Sequence, residues 1–182
     1  AEALSLTEGM RMVSPGDEPA IVLGHATVYL ELFRRHPDLE TVYAPVGSGS
    51  GAAGACLVRD ALAPGCRVIG VQSSAAPAAH RAWTSGEPAT VDSRTRVAGL
   101  AVGASFTLTQ SVLGRSLNDF ILVDDDAMAL AHLESYFSDV EDFTILTASR
   151  SPRAVLRFVQ SHQVDVLITD VHMEHMDGVE MT

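Results

Sequence analysis

Apolar and polar positions alternate along this chain in blocks that read as strands and helices in turn. The densest block is Phe120-Ile121-Leu122-Val123, which runs straight into Asp124-Asp125-Asp126. Four apolar residues ending in carboxylates predict a buried parallel strand that stops at its C-terminal edge. Asp126 then caps a helical pattern with Met128, Leu130, Leu133 and Phe137 on or near one stripe. Upstream, Ile21-Val22-Leu23 reads as a short strand, and residues 26–35 as a helix with Val28, Leu30, Leu32 and Phe33 apolar. Residues 41–46 are the next strand, followed by Gly47-Ser48-Gly49-Ser50-Gly51-Ala52-Ala53-Gly54 and a helix through Cys56, Leu57, Val58 and Leu62. Residues 67–72 are a further strand, 90–100 read as loop and strand, and 106–117 are amphipathic without a decided type. Downstream, residues 143–147 predict a strand, Ser151 caps a helix with Pro152 in its first turn, and Val164-Asp165-Val166-Leu167-Ile168-Thr169-Asp170 is a last strand ending in an acid. Strand and helix alternating in this way predict an α/β fold with mainly parallel strands.

Two stretches carry chemistry. The order strand, glycine loop, helix, strand around residues 47–54 is what a phosphate cradle needs. Glycines let backbone N–H groups approach an anion, and the helix N-terminus adds partial positive charge. No Lys follows the last glycine, so it is not a Walker loop, and there is no clean Gly-x-Gly-x-x-Gly followed by an acid at the end of the next strand. Ser48 and Ser50 do not fit a nucleophile elbow, since neither has Gly two residues away on both sides. The acidic run is the second stretch. Two carboxylates about 4 Å apart repel by roughly 4 kcal/mol at an effective dielectric of about 20. The cluster therefore either wants a cation or serves as a helix cap with solvated acids.

Composition narrows the classes. At 182 residues the chain suits one large or two small domains. The net charge of −11 is uneven: from Asn118 onward there are 13 acids against 3 arginines, and before it 10 against 9. An acidic half of this kind does not read as a nucleic-acid binder, and the asymmetry supports two segments, 1–117 and 118–182. No apolar run is long enough for a membrane span and no secretory signal opens the chain, so neither membrane nor export is expected. Cys56 and Cys66 lack metal-type spacing and are expected to be buried thiols in a reducing, cytoplasmic setting. His172-Met173-Glu174-His175 offers two histidines that could share a helical face, against a default of surface histidines. All 12 basic residues are arginine; there is no lysine.

Gly24, Thr27 and Glu31, then Pro45-Val46-Gly47-Ser48-Gly49-Ser50-Gly51 with Gly54, then Val68-Ile69-Gly70-Val71 and Gly99-Leu100-Ala101-Val102, occur in an order that resembles the large domain of fold-type-II pyridoxal-phosphate enzymes. The group is that of threonine dehydratase and serine ammonia-lyase, and the resemblance covers roughly residues 8 to 130. It implies that Gly47, Ser48, Gly49, Ser50 and Gly51 hold the cofactor phosphate, with two serines where glycine is common. Those enzymes bind the aldehyde as a Schiff base on a lysine, which arginine cannot replace. Pyridoxal phosphate is therefore expected to bind only non-covalently, and dehydration would need a lysine from another chain.

The segment after Asn118 resembles the receiver domain of bacterial response regulators. Asp124-Asp125 after one strand, Asp170 after another, and Met173 with Met176-Asp177-Gly178 match that family in order and spacing, with Glu174 where Pro is usual. The resemblance implies a Mg²⁺ ion held by Asp124, Asp125, Asp170 and the backbone carbonyl of His172. It implies Asp170 as phosphoacceptor, and a histidine kinase or other phosphodonor as partner. About half of a receiver is present, so the expectation is a truncated domain whose phosphorylation is impaired. The apolar strand ending at Asp170 would have an uncovered edge and promote self-association. The leading expectation is thus a truncated receiver-type phosphoacceptor fused to a dehydratase-like fragment. The alternatives are a dehydratase fragment completed by another chain, or a hybrid scaffold without native activity. The strand and helix near residues 118–137 fit either parent.

Overall fold

The computed structural model describes residues 2–141, 144–168, 172–173 and 176–177. Two compact units divide the chain, Ala1–Asp125 and Asp126–Thr182.

In the first unit, helix α1 (Glu2–Glu8) precedes a long helix α2 (Pro19–Arg35). The run Ile21-Val22-Leu23, expected as a strand, lies inside α2. Pro19 occupies the first turn, where its missing N–H costs nothing, and the extended Glu18 carboxylate accepts from the N–H of Ala20 at 3.5 Å. Val22, Ala26 and Phe33 form the buried stripe, while Leu23 is 61% exposed. Three adjacent apolar residues contain no period, so they cannot distinguish helix from strand.

Strands β1 (Thr41–Pro45), β2 (Arg67–Ser73) and β3 (Asp119–Val123) form a parallel sheet in the order β1-β2-β3. Thr41 pairs with Arg67 and Pro45 with Val71; Ile69 pairs with Asp119 and Ser73 with Val123. Helix α3 (Ser50–Leu62) connects the first two strands. Helix α4 (Ala78–Ser85), a 3-10 turn (Ala98–Leu100) and helix α5 (Thr107–Ser116) connect the last two. The amphipathic segment left undecided in the sequence is therefore helical. Val46, Ala52, Ala53, Cys56, Val68, Leu113 and Phe120 are among the core residues. Small residues let α2 and α3 pack closely: a Cβ on Gly54 would lie 2.8 Å from the backbone N of Ala26.

One buried cation ties the far ends of these elements together. Arg59, 5% exposed, donates to the Asp60 carboxylate at 2.7 Å, to the Cys66 carbonyl at 2.8 Å, and also to Asn118 Oδ1 and the Ser116 carbonyl. Asn118 Oδ1 in turn accepts from the N–H of Val68 at 2.8 Å. Charge-assisted bonds to the last carbonyl of α5 satisfy a group that helix geometry leaves open.

The second unit contains most of helix α6 (Asp125–Ser138), helix α7 (Pro152–Ser161) and a two-residue hairpin, β4 (His172–Met173) with β5 (Met176–Asp177). Helix α6 begins at Asp125, so Asp126 lies within its first turn and is not the cap. An acid there still complements the helix dipole. Ser151 precedes α7 in extended conformation as expected, although its side chain makes no capping bond. The expected strands at 143–147 and 164–170 are not formed where they are described: residues 144–149 and 164–168 are irregular. Residues 143, 169 and 170 lie outside the described residues. A parallel strand needs a paired neighbour, and β3, expected to open a receiver sheet, is paired with β2. Leu133, Phe137, Ile145, Val155, Phe158 and Val166 instead line an open apolar cavity of about 280 Å³. None of the residues described between 126 and 168 is buried.

Candidate functional site

The glycine loop, the pair Gln72 and Ser73, and Asp125 lie at the C-terminal ends of the three parallel strands, which is where open α/β sheets bind ligands. The glycine loop follows β1. The N–H of Val46 still pairs with the Val71 carbonyl at 2.8 Å, and the chain then leaves the sheet through Gly47, Ser48 and Gly49. Gly49 sits at the N-cap of α3 with φ 91°, a left-handed conformation that suits glycine and supplies no capping side chain. The first intrahelical bond runs from the N–H of Ala53 to the Gly49 carbonyl at 2.8 Å. The N–H groups of Ser50, Gly51 and Ala52 thus lie in the uncapped first turn, where positive dipole and donors coincide.

The loop is held from three sides. Ser48 Oγ donates to the Pro15 carbonyl at 3.1 Å and lies 3.1 Å from Ser50 Oγ, so Ser50 is the donor between the two hydroxyls. The buried Thr109 hydroxyl donates to the Ser48 carbonyl at 2.9 Å. A Cβ on Gly47 would lie 2.6 Å from the Gly99 carbonyl oxygen, so only glycine allows this approach. A Cβ on Gly51 would meet its nearest atom at 3.9 Å, which leaves that side of the loop open. Backbone donors, an uncapped helix start and an open side fit a phosphate group. The serine hydroxyls, turned toward Pro15 and each other, would have to rotate to join in.

At the end of β2, Gln72 and Ser73 are fully buried. Gln72 Oε1 accepts from the N–H of His80 at 2.9 Å at the start of α4, while its Nε2 has no partner among the described residues. Beyond β3, Asp125 accepts from Ser73 Oγ at 2.6 Å, Thr95 Oγ1 at 2.8 Å and the N–H of Arg96 at 2.7 Å. Burial alone would raise its pKa. The three hydrogen bonds and the Arg96 charge outweigh burial together and hold it below the ordinary value. Gln72, Ser73, Thr95, Arg96 and Thr109 were not picked out from the sequence; they approach the loop and the acid only through the fold.

Of the acids expected to share a metal, Asp124 and Asp125 follow β3, with Asp125 opening α6, and Asp170 lies outside the described residues. His172 belongs to β4, opposite Asp177, so the helical-face reading of His172 and His175 does not hold; His175 is outside the described residues. No group of three His, Cys, Asp or Glu side chains that could hold a metal occurs among the described residues. Cys56 and Cys66 are buried and form no disulfide. Burial pushes the Cys56 thiol up to about 11 despite the nearby Arg59 charge, which makes it unreactive.

Residues 1–137 match the family described as pyridoxal-phosphate dependent enzyme, and residues 120–182 match the response regulator receiver domain. The chain is 29% identical to the biosynthetic L-threonine dehydratase of Pasteurella multocida over 90% of its length and 32% of the relative's. It is 32% identical to the L-threonine ammonia-lyase of Geobacter sulfurreducens over 68% of its length and 31% of the relative's. It thus spans about a third of the length of these relatives. Among solved structures, the processed form of threonine deaminase isoform 2 from Solanum lycopersicum superposes with a TM-score of 0.70 at 26% identity, covering 75% of this chain and 40% of that one. The α/β fold with its parallel sheet is that of fold-type-II pyridoxal-phosphate enzymes, and the receiver match begins at Phe120 within β3.

Proposed function

Since the chain belongs to the family of pyridoxal-phosphate dependent enzymes through residues 1–137, we propose that its first unit is the phosphate-binding part of a threonine or serine dehydratase. The observation that carries this reading is the uncapped start of α3, with Gly47 to Gly51 opening onto it at the C-terminal end of β1. The N–H groups of Ser50, Gly51 and Ala52 would donate to the phosphate. Thr109 and Gly99 would keep the loop in the shape that presents them. Bound pyridoxal phosphate supplies an electron sink for chemistry at the α-carbon of an amino acid. This sequence contains no lysine, so the amine that anchors the cofactor would come from outside it. The test is to titrate pyridoxal phosphate into the chain, then reduce with borohydride. Weak, saturable, phosphate-competed binding without a side-chain adduct is expected. A stoichiometric side-chain adduct by mass spectrometry, or no competition by phosphate, would overturn it.

A second reading is favoured by the receiver match over residues 120–182. In it Asp170 accepts a phosphoryl group from a histidine kinase or a small phosphodonor, with Mg²⁺ held by Asp124, Asp125 and the His172 carbonyl. The absence of lysine makes the transfer inefficient, because no ammonium is available in this sequence to neutralise the transferred group. Mg²⁺ would also have to draw Asp125 away from three donors. Acetyl phosphate with Mg²⁺ should label the chain slowly, and Asp170→Asn should abolish labelling; labelling that survives the substitution sinks this reading. The open apolar cavity of the second unit supports self-association, and the two free thiols support a cytoplasmic setting. No helix among the described residues is long and apolar enough to cross a membrane.

A further inference from the structure

The geometry points to Asp125 as the positioning residue that sets the glycine loop, through the segment 94–102. The carboxylate holds this segment at two points, the Thr95 hydroxyl and the Arg96 N–H. Further bonds make the segment rigid from there on. The N–H of Arg94 pairs with the Ala75 carbonyl at 2.9 Å, the N–H of Val97 with Thr95 Oγ1 at 3.1 Å, and the N–H of Leu100 with the Val97 carbonyl at 2.9 Å. Leu100 is buried, which seats the 3-10 turn on the body of the unit. That turn carries Gly99, whose carbonyl oxygen would lie 2.6 Å from a Cβ on Gly47; two residues beyond it, Val102, whose N–H pairs with the Leu100 carbonyl at 2.8 Å, would place Cγ2 3.3 Å from the same Cβ. A displacement of residues 95–100 therefore removes the wall against which Gly47 rests.

Two features separate this role from an ordinary helix cap. The Asp125 carboxylate, at the start of α6, spends both oxygens on partners 29, 30 and 52 residues away in sequence. One of those partners, Ser73, ends the strand next to the one that leads into the glycine loop. Asp125 also lies within the overlap of the two family matches, residues 120–137. In this structure its side chain serves the pyridoxal-phosphate unit. Its bearing on the cofactor rests on the phosphate-loop reading above; its effect on the loop does not.

The experiment uses the full chain with Asp125→Asn, Thr95→Val and, as control, Asp38→Asn at an exposed acid, observed by amide NMR. In Asp125→Asn, exchange at Leu100 and Val102 should rise about tenfold, as expected for losing local anchoring bonds, and the Gly47 and Gly49 amide signals should move. Val68, Ile69 and Leu113 should keep their protection. Thr95→Val, which removes one of the three bonds, should give the same pattern more weakly, and Asp38→Asn should give none of it. Should Asp125→Asn lose protection throughout the unit, the Thr95→Val pattern decides. Faster exchange at Leu100 with Gly47 and Gly49 unmoved would mean that Asp125 holds only its own segment, and would overturn the proposal; so would an unchanged Leu100. Pyridoxal phosphate, followed by its ³¹P signal, should bind several-fold more weakly to Asp125→Asn under conditions in which that variant is still fully folded. If the parent chain does not bind it at all, the cofactor reading fails, while the exchange and shift data still decide the positioning role.

Discussion

Arg59→Ala is the substitution whose cost this structure specifies most closely. The guanidinium is 5% exposed and serves four acceptors: Asp60, Cys66, Asn118 and Ser116. They differ in what truncation would do to them. The Asp60 side chain is 48% exposed and would be rehydrated, so that pair contributes at most about 1 kcal/mol. Asn118 Oδ1 keeps its bond from Val68. The Cys66 and Ser116 carbonyls lose their charged donor, and each stranded acceptor costs about 1–3 kcal/mol. With the lost packing of the side-chain stem, the expected destabilisation is about 3–5 kcal/mol. Arg59→Lys should recover about half, since an ammonium keeps the charge but lacks the fork that reaches four acceptors. Urea unfolding followed through Trp83 is the assay; this single tryptophan packs 5.9 Å from Phe120 and donates to the Leu113 carbonyl, so it reports the core of the first unit. Because Arg59 and Asn118 share a bond, the double substitution with Asn118→Ala should cost less than the sum of the two. A loss below about 1 kcal/mol for Arg59→Ala, or strict additivity with Asn118→Ala, would refute the reasoning.

Gly54→Ala places a Cβ 2.8 Å from the Ala26 backbone N and 3.1 Å from the Val22 carbonyl oxygen, so α2 and α3 must separate; a loss of about 1–3 kcal/mol is expected by urea titration. Gly49→Ala forces a left-handed residue against Thr109 at 3.1 Å and should cost about 1–2 kcal/mol while weakening pyridoxal phosphate binding. The folded pKa of Asp125 is depressed, so its stabilisation is complete above the ordinary value of 3.8 and is lost as pH falls through the folded value; Asp125→Asn should flatten the acid limb of the stability curve and leave its neutral limb parallel to the parent. Cys56, with its thiol raised to about 11, should resist iodoacetamide at pH 8 until the first unit unfolds; native-state alkylation by mass spectrometry would contradict its burial.

Much of the first unit was legible because its strands are bounded by strong breakers. Pro37-Asp38 precedes β1, Pro64-Gly65 precedes β2, and the acidic run closes β3. The start of α2 was missed because Ile21-Val22-Leu23 is short and uniformly apolar; Glu18-Pro19, a cap followed by a first-turn proline, was the available signal. The glycine loop could be placed, since its residues are contiguous. Thr109, Gly99 and the partners of Asp125 could not be, because no local pattern encodes an approach across dozens of residues. The receiver-like strands failed for a different reason. Their apolar runs are genuine, but strand character depends on a neighbouring strand, and residues 144–149 and 164–168 have none among the described residues.

The lack of buried residues among those described between 126 and 168 has a calorimetric consequence. The heat-capacity change of unfolding measures apolar surface newly given to water, at about 12–15 cal/mol/K per residue for chains with ordinary cores. Side chains that are already wet contribute little to it. Melting of this chain should therefore carry mostly the heat capacity of its first 125 residues, about 1.5–1.9 kcal/mol/K. The acidic segment would enter the thermogram only once something covers its apolar side, and the rise in heat capacity would then measure the area covered.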